Sequence, residues 1–410
     1  MGKKDVARAK GKSTIPIRKA ITRSATKPAR DAKLQAIAQQ ALAEQRALAQ
    51  RRAQDLANRP VAPPGNRGDG QLHLAFVKIG QGDCAIMATP RGQIVLFDCG
   101  SDAKDSETDL LYRRRVQAVL TRAKFMAGYN TVDILVLTHP DADHYNQLTN
   151  ILNPAVTINN VYFSSELRFY AQGATSSFIT TQMSNVLGIK KVVHNHDPGN
   201  QAPGQVTIAV NGGTPTPVPA ASAGVFVDRL DAAGGIRIVD EPNCTVSILA
   251  ADVSHQYVAD NSNTTNRGSV VTLIETTRDK ILICGDATFN TEQYLLNTAR
   301  ARITGMSIAQ AGHHGSRLTS SSQAFVDTVN PLRSVISAPK AVPLHHLPSE
   351  EVIDRYRTRL NTSNRALIPS HETFGWRAGS FGSYTNESQF HQEQVFTTGS
   401  WDTVEFTLTP

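Results

Sequence analysis

The sequence has no run of about 18 uninterrupted apolar residues, which excludes a membrane-spanning helix. Cysteine is scarce: Cys84, Cys99, Cys244 and Cys284 are the only four, and none stands in C-x-x-C spacing. Three of them fall inside or at the ends of apolar runs that read as strands. Buried free thiols are therefore expected rather than a disulfide framework, and with them a reducing compartment. The basic start MGKKDVARAKGK lacks a following apolar segment, so no secretory signal is expected and the cytoplasm is the expected location. Val6 stands where a myristoylation signal needs Ser or Thr. No internal repeat is visible.

What is present is an ordinary globular balance. Of 410 residues, 40% are apolar and 19% charged, which supports a sizeable core and rules out wholesale disorder or a fibrous class. The net charge of +7 is unevenly spread. Residues 1–70 hold 7 Lys and 9 Arg against 4 Asp and 1 Glu, a local charge of +11 that leaves −4 on the rest. A basic arm on a mildly acidic body points to nucleic acid, an anionic surface or an acidic protein partner. No aromatic residue interleaves its basic pairs Lys3-Lys4 and Arg51-Arg52, so base stacking by the arm is not suggested.

Two domains are expected. Residues 1–69 form a basic N-terminal tail, with a helix at about 31–58 in an Ala/Gln/Arg/Leu-rich stretch and a Pro/Gly linker after it. Residues 70–410 form the folded body. Its first strands are expected at 72–79, 84–89 and 93–100, followed by a helix over 110–127 and a buried strand at 133–138. A strand at 160–164, a helix at 177–188 and a strand at 190–193 follow, and 197–235 reads as an irregular insertion. Strands at 245–250, 269–276, 280–286, 307–312 and 334–338 then alternate with helices at 290–301, 320–328 and 349–360. Strands with interleaved helices imply a layered α/β body.

The stretch LVLTHPDADHYNQL (135–148) carries the chemistry. A buried strand ends at Thr138, and His139, Asp141, Asp143 and His144 follow at once. Four potential metal ligands in six residues are hard to explain as packing. A turn there aims His139 and Asp141 at one point and Asp143 and His144 at a second nearby. Asp286 ends the apolar strand KILICGD, and His313 and His314 end another in AQAGHHGSRL. Three strand ends thus offer imidazoles and carboxylates suited to two divalent cations about 4 Å apart, bridged by a carboxylate and a water or hydroxide.

HPDADH resembles the H-x-[HD]-x-D-H signature of the metallo-β-lactamase superfamily. The segments FVKIGQGDCAIMATPRGQIVLFDCG (76–100), NRGSVV before ICGDA, and GHHGSRLTSSSQAFVDTVNP (312–331) resemble, in order, the soluble hydrolase domain of ComEC DNA-uptake proteins. The resemblance runs from about 72 to about 360. It implies a four-layer αββα sandwich with a dinuclear site at one edge of the sheets. Carried over by position, it implies His139 and Asp141 on the first metal, Asp143, His144 and His313 on the second, and Asp286 between them. It further implies that Asp98 orients ligands, that Asn266 lies close by, and that His314 and Ser316 sit at a rim facing substrate. Asp83 shares that edge.

The superfamily's third histidine on the first metal has no counterpart here: DNSNTTNRGS (260–269) offers Asn266 instead. His194, His196 and His255 are the possible substitutes. A carboxylate-rich site favours Mn²⁺ or Mg²⁺ over Zn²⁺ more than a three-histidine site does, and leaves all three open. The expected function is a metal-dependent phosphodiesterase, most simply a nuclease, in which Asp143, Asp286 and His314 act at the reacting centre. The alternatives are hydrolysis of a small substrate, such as a cyclic nucleotide or lactone, and a nucleic-acid-binding or partner-binding role for the basic arm.

Overall fold

The structure is a computed structural model. It describes residues 67–102, 106–122, 124–125, 131–152, 156–165, 167–170, 189–194, 205–208, 216–219, 225–229, 235–340 and 345–410. The expected tail helix at 31–58, the helix at 177–188 and most of the 197–235 insertion lie outside them.

Two large sheets form the centre. The eight-stranded sheet runs, in spatial order, Val404–Leu408, Leu72–Phe76, Ala85–Ala88, Ile94–Phe97, Thr131–Leu137, Thr157–Phe163, Ile189–His194 and Val225–Arg229. The seven-stranded sheet runs Ile236–Glu241, Cys244–Ala250, Val271–Thr276, Lys280–Ile283, Ile308–Gln310, Arg333–Ile336 and Val395–Thr397.

The layering follows from alternation along the strands, whose successive side chains point to opposite faces. Leu72, Leu74 and Phe76, with Val95, Phe97, Ile134 and Val136, face the other sheet and meet Val246, Ile248, Ile281, Ile283 and Ile308 there. Their neighbours Ala75, Ile94, Leu96, Val132 and Leu137 point outward onto Val116, Val119 and Leu120 of the helix Ser106–Leu120. On the far side, Leu282 and Ala309 meet the helices Phe289–Thr298 and Gln323–Val329 through Tyr294, Leu295, Phe325 and Val329. The helix Glu350–Thr362 covers Ala311, Ile336 and Ala338 with Val352, Ile353 and Tyr356. Helix, sheet, sheet and helix make four layers, the αββα sandwich expected. The central strands are buried on both faces, which explains why they read as near-continuous apolar runs. All four cysteines are buried and free, as expected.

The structure corrects one reading and adds strands beyond the last expected element. The insertion at 197–235 is not irregular throughout. Gln205–Ile208 pairs antiparallel with Thr216–Pro219, and Val225–Arg229 joins the first sheet parallel to Ile189–His194. These strands are four or five residues long, too short for alternation to stand out among the surrounding Gly, Pro and Ala. The C-terminal region also holds strands: His371–Ala378 and Tyr384–His391 form a hairpin, and Val404–Leu408 pairs with Leu72–Phe76 at the edge of the first sheet. No helix of the described residues is long and apolar enough to cross a membrane.

Candidate metal centre

In the parallel part of the first sheet, Ile94–Phe97 lies beside Thr131–Leu137, so both strands deliver their C-terminal ends to the same edge. Asp98 follows the first with a positive φ of 53°. Its Oδ1 accepts from the Thr138 backbone N–H at 2.8 Å, and its Oδ2 from the Thr138 hydroxyl at 2.6 Å. Thr138 follows the second strand directly, so this carboxylate ties the two strand ends together. His139 to His144 then turn back across the edge. The Cys99 N–H donates to the His144 carbonyl at 2.7 Å, and Gly100 lies so close that a Cβ there would meet the Asp143 carbonyl carbon at 2.2 Å. Only glycine fits.

The second sheet supplies the rest. Gly285, at φ +50°, follows Lys280–Ile283 and leaves a Cβ no room, since one would lie 2.7 Å from the Thr138 side chain. This close approach brings Asp286 against the HPDADH turn. His313 and His314 follow Ile308–Gln310, both in the left-handed region at φ 48° and 50°. Each such non-glycine conformation costs about 1–3 kcal/mol, a strain characteristic of functional sites.

The four imidazoles surround the Asp286 carboxylate. Oδ2 lies 3.7 Å from His139 Nε2 and 3.7 Å from His313 Nε2. Oδ1 lies 3.3 Å from His144 Nε2 and 3.5 Å from His314 Nε2. Asp141 Oδ2 is 3.5 Å from His139 Nε2, and Asp143 Oδ2 is 3.6 Å from His314 Nε2. Two nests result. By proximity to Asp286, His139, Asp141 and His313 lie on the Oδ2 side and Asp143, His144 and His314 on the Oδ1 side. His139, His144 and Asp286 also stand close enough together to hold a single ion.

The opposite ring nitrogens are all held. His144 Nδ1 lies 2.8 Å from Asp98 Oδ2, and His139 Nδ1 lies 3.0 Å from the Thr138 hydroxyl and 3.3 Å from that of Ser269. His314 Nδ1 donates to the Ser337 carbonyl at 2.8 Å, and His313 Nδ1 is 2.7 Å from the Thr319 hydroxyl. Fixing Nδ1 in this way sets the ring orientation and leaves Nε2 as the ligating atom.

These residues fit a pair of divalent cations. The Nε2 atoms of His139, His144 and His314 and Oδ1 of Asp286 are buried without a hydrogen-bond partner. Such orphans are costly unless something binds them. Their spacing is also suitable, because ligands about 2.1 Å from one tetrahedral ion stand about 3.4 Å apart. Charge points the same way. Burial opposes ionisation of Asp286, yet His314, His144 and His313 outweigh it and hold the carboxyl well below its usual range. Burial also opposes protonation of His314, but Asp286 and Asp143 push it up to about 9. His313 is lowered by burial, which together with the neighbouring imidazoles outweighs Asp286.

The structure places the other expected residues as follows. His314 is not at a rim. It is 2% exposed and occupies the nest where His313 was expected, while His313 falls on the His139 side. The left-handed turn at both residues separates their rings, whose centroids are 6.4 Å apart, and sends them to different oxygens of Asp286. The Oδ2 side therefore does have a second histidine. Asn266 is buried there, with Nδ2 3.0 Å from His313 Nε2 and 3.4 Å from Asp286 Oδ2.

Ser316 is half-buried. Its Oγ accepts from Thr319, the residue that holds His313. Asp83 is buried, accepts from the Gln310 amide at 2.8 Å, and has its pKa raised to about 6 by burial. It can share a cation with Asp286 and His314. His255 is exposed and packs on Tyr257. His196 lies outside the described residues, and the side chain of His194 is not described. Sequence reasoning missed Thr138, Ser269, Thr319 and Ser337. Of these only Thr138, adjacent to His139 at a strand end, carries a local signal.

Two cavities flank the centre. One of about 290 Å³ is lined by Asp143, Gln81, Ser101, Asp102 and His345. The other, about 260 Å³, is lined by Asp141, Phe169, Asp252 and Thr265.

No protein-family model matches the chain, and no curated protein does. Solved structures do match. Human tRNase Z, short form, is 13% identical, covering 64% of this chain and 91% of that one at a TM-score of 0.36. CmlA, a diiron β-hydroxylase from Streptomyces venezuelae, is 14% identical, covering 74% and 51% at a TM-score of 0.33. Zn²⁺-bound PqqB from Methylobacterium extorquens is 12% identical, covering 58% and 71% at a TM-score of 0.29.

Proposed function

We propose that the protein is a metal-dependent hydrolase of phosphodiesters, working at a dinuclear centre shared through Asp286. The observation that carries this reading is the convergence of three orphaned Nε2 atoms on a carboxylate whose two oxygens face separate nests. His139, Asp141 and His313, with Asn266 close by, would hold one divalent cation, and Asp143, His144 and His314 the other. Bound there, two cations supply hydroxide at neutral pH and neutralise charge that builds on a substrate oxygen. The chain's own contribution is positional. Asp98, Thr138, Ser337 and Thr319 fix the imidazoles before substrate arrives, so little reorganisation is left to the reaction.

Acyl and phosphoryl substrates both gain negative charge on reaction. The phosphodiester reading, and within it a nuclease, is supported by the resemblance of residues 76–100 and 312–331 to ComEC-type domains and by the charge of +11 on residues 1–70. The basic arm is proposed as the nucleic-acid contact. Cleavage of labelled single- and double-stranded DNA and RNA, with Mn²⁺, Mg²⁺ or Zn²⁺ added in turn, tests the proposal. Asp286→Asn and His139→Ala are expected to abolish cleavage. Intact substrate with every metal would refute the reading, and hydrolysis confined to lactones would replace it.

A further inference from the structure

The loop 80–83 brings one more carboxylate to the centre. It lies against the HPDADH turn, where the Asp83 N–H donates to the Asp143 carbonyl at 3.3 Å and the Asp83 carbonyl accepts from the Gly100 N–H at 3.1 Å. The second sheet fixes the side chain. Gln310, at the end of Ile308–Gln310, accepts at Oε1 from the backbone N–H groups of Cys284 and Gly285, at 2.9 and 3.3 Å. Its Nε2 is thereby turned to Asp83 Oδ1, 2.8 Å away. One oxygen of Asp83, one of Asp286 and a ring nitrogen of His314 lie within 4.8 Å of one another, and all three residues are buried. Donors about 2.1 Å from one octahedral ion stand about 3.0 Å apart when adjacent and about 4.2 Å apart when opposite, so such a group suits a single cation. The orphaned atoms on this side, Nε2 of His144 and of His314 and Oδ1 of Asp286, call for the same occupant. Charge does too. His144 pairs with Asp98 and Asp286, and His314 with Asp143 and Asp286, whereas Asp83 has no ion pair among the described residues. A buried carboxylate is costly unless a cation faces it.

We propose that Asp83 is a direct ligand of the cation on the Oδ1 side, and that it makes the two seats chemically unequal. This rests on the dinuclear reading of the centre. The Oδ1 seat draws on Asp83, Asp143, Asp286, His144 and His314, three carboxylates with two imidazoles. The Oδ2 seat keeps His139, His313, Asp141 and a share of Asp286, with the neutral Asn266 beside it. A fifth donor, and an anionic oxygen at that, favours a hard six-coordinate cation such as Mn²⁺, whereas four donors suffice for tetrahedral Zn²⁺. The Oδ1 seat is therefore the tighter one for Mn²⁺ and fills first, and Zn²⁺ gains less from Asp83.

The test uses the full chain, stripped of metal by a chelator and titrated with Mn²⁺ while the free ion is followed by electron paramagnetic resonance. The parent is expected to bind two ions, the first more tightly. Asp83→Asn keeps an oxygen for the Gln310 amide and removes the charge. It is expected to weaken the first ion by more than about 100-fold, beyond the roughly 10- to 100-fold contributed by partners that only orient a ligand. Competition with Zn²⁺ is expected to show a smaller loss for Zn²⁺ than for Mn²⁺. Urea denaturation of the metal-free protein separates a ligand from a structural prop. A buried carboxylate without an ion pair does not stabilise the empty fold, so Asp83→Asn is expected to be at least as stable as the parent. Two Mn²⁺ held by Asp83→Asn with the parent's affinities would overturn the role of Asp83 and leave the paired-cation reading standing. Equal losses of Mn²⁺ and Zn²⁺ in a variant whose metal-free form is less stable would overturn it as well. A parent that binds no divalent metal would refute both.

Discussion

Asp98 Oδ2 and His144 Nδ1 lie 2.8 Å apart, both buried at the mouth of the first sheet. The same carboxylate accepts two bonds from Thr138, so one side chain sets both the strand ends and a candidate ligand. Partners of this kind commonly contribute 10- to 100-fold in metal affinity. Asp98→Ala is therefore expected to weaken binding at the His144 side by about that factor, as followed by a competitive chelator titration. Unchanged affinity would remove Asp98 from the positioning role.

Thr138→Val keeps the shape of the side chain and deletes its hydroxyl. Asp98 Oδ2 then loses a buried donor, a loss that costs about 1–3 kcal/mol. Urea denaturation of the metal-free protein is expected to show that loss, with metal affinity falling alongside it.

Gly285→Ala places a methyl group 2.7 Å from the Thr138 side chain in a backbone conformation that disfavours any Cβ. The conformational penalty alone is about 1–2 kcal/mol. The variant is expected to fold less stably and to bind metal poorly, because the clash lies where the two sheets bring Asp286 to His139. Full metal content in a stable variant would contradict this.

The C-terminal hairpin carries a pH signature of its own. His391 is packed against His371 and bonded to the Thr373 hydroxyl, and its pKa is lowered to about 4, first by burial and then by His371 and Arg357. An unfolded histidine takes up its proton near pH 6.5, whereas the folded one resists until about pH 4. Between these values the unfolded chain binds more protons, so stability is highest above pH 6.5 and falls as the pH drops toward 4. Hydrogen exchange in His371–Ala378 and Tyr384–His391, corrected for intrinsic rates, is expected to accelerate over that window in the parent and not in His391→Phe.

Much of the fold could be read from local pattern. The apolar runs around 72–100, 133–138 and 280–286 are buried on both faces, so their strands stand out without any knowledge of pairing. The short strands at 205–208 and 216–219 have no such run, and in the hairpin at 371–391 the buried positions hold His371, Thr373 and Gly375 while Phe390 is exposed, so its apolar residues do not mark the packed face. Within the site, the ligating residue types cluster in sequence because strand ends deliver them together. Their division between two nests was not legible. Which of His313 and His314 faces which oxygen of Asp286 depends on two left-handed residues in a row, and nothing in the letters GHHGS specifies that. Thr319 and Ser337 reach the histidines only through tertiary contact, six and twenty-three residues away.

In the proposed centre Asp286 is shared between two cations. Metal content per chain, by inductively coupled plasma mass spectrometry after equilibration with Mn²⁺ or Zn²⁺ and removal of excess, tests it most directly. The account predicts two ions in the parent and no more than one in Asp286→Asn. Two ions retained in Asp286→Asn, or none held by the parent with any divalent metal, would contradict it.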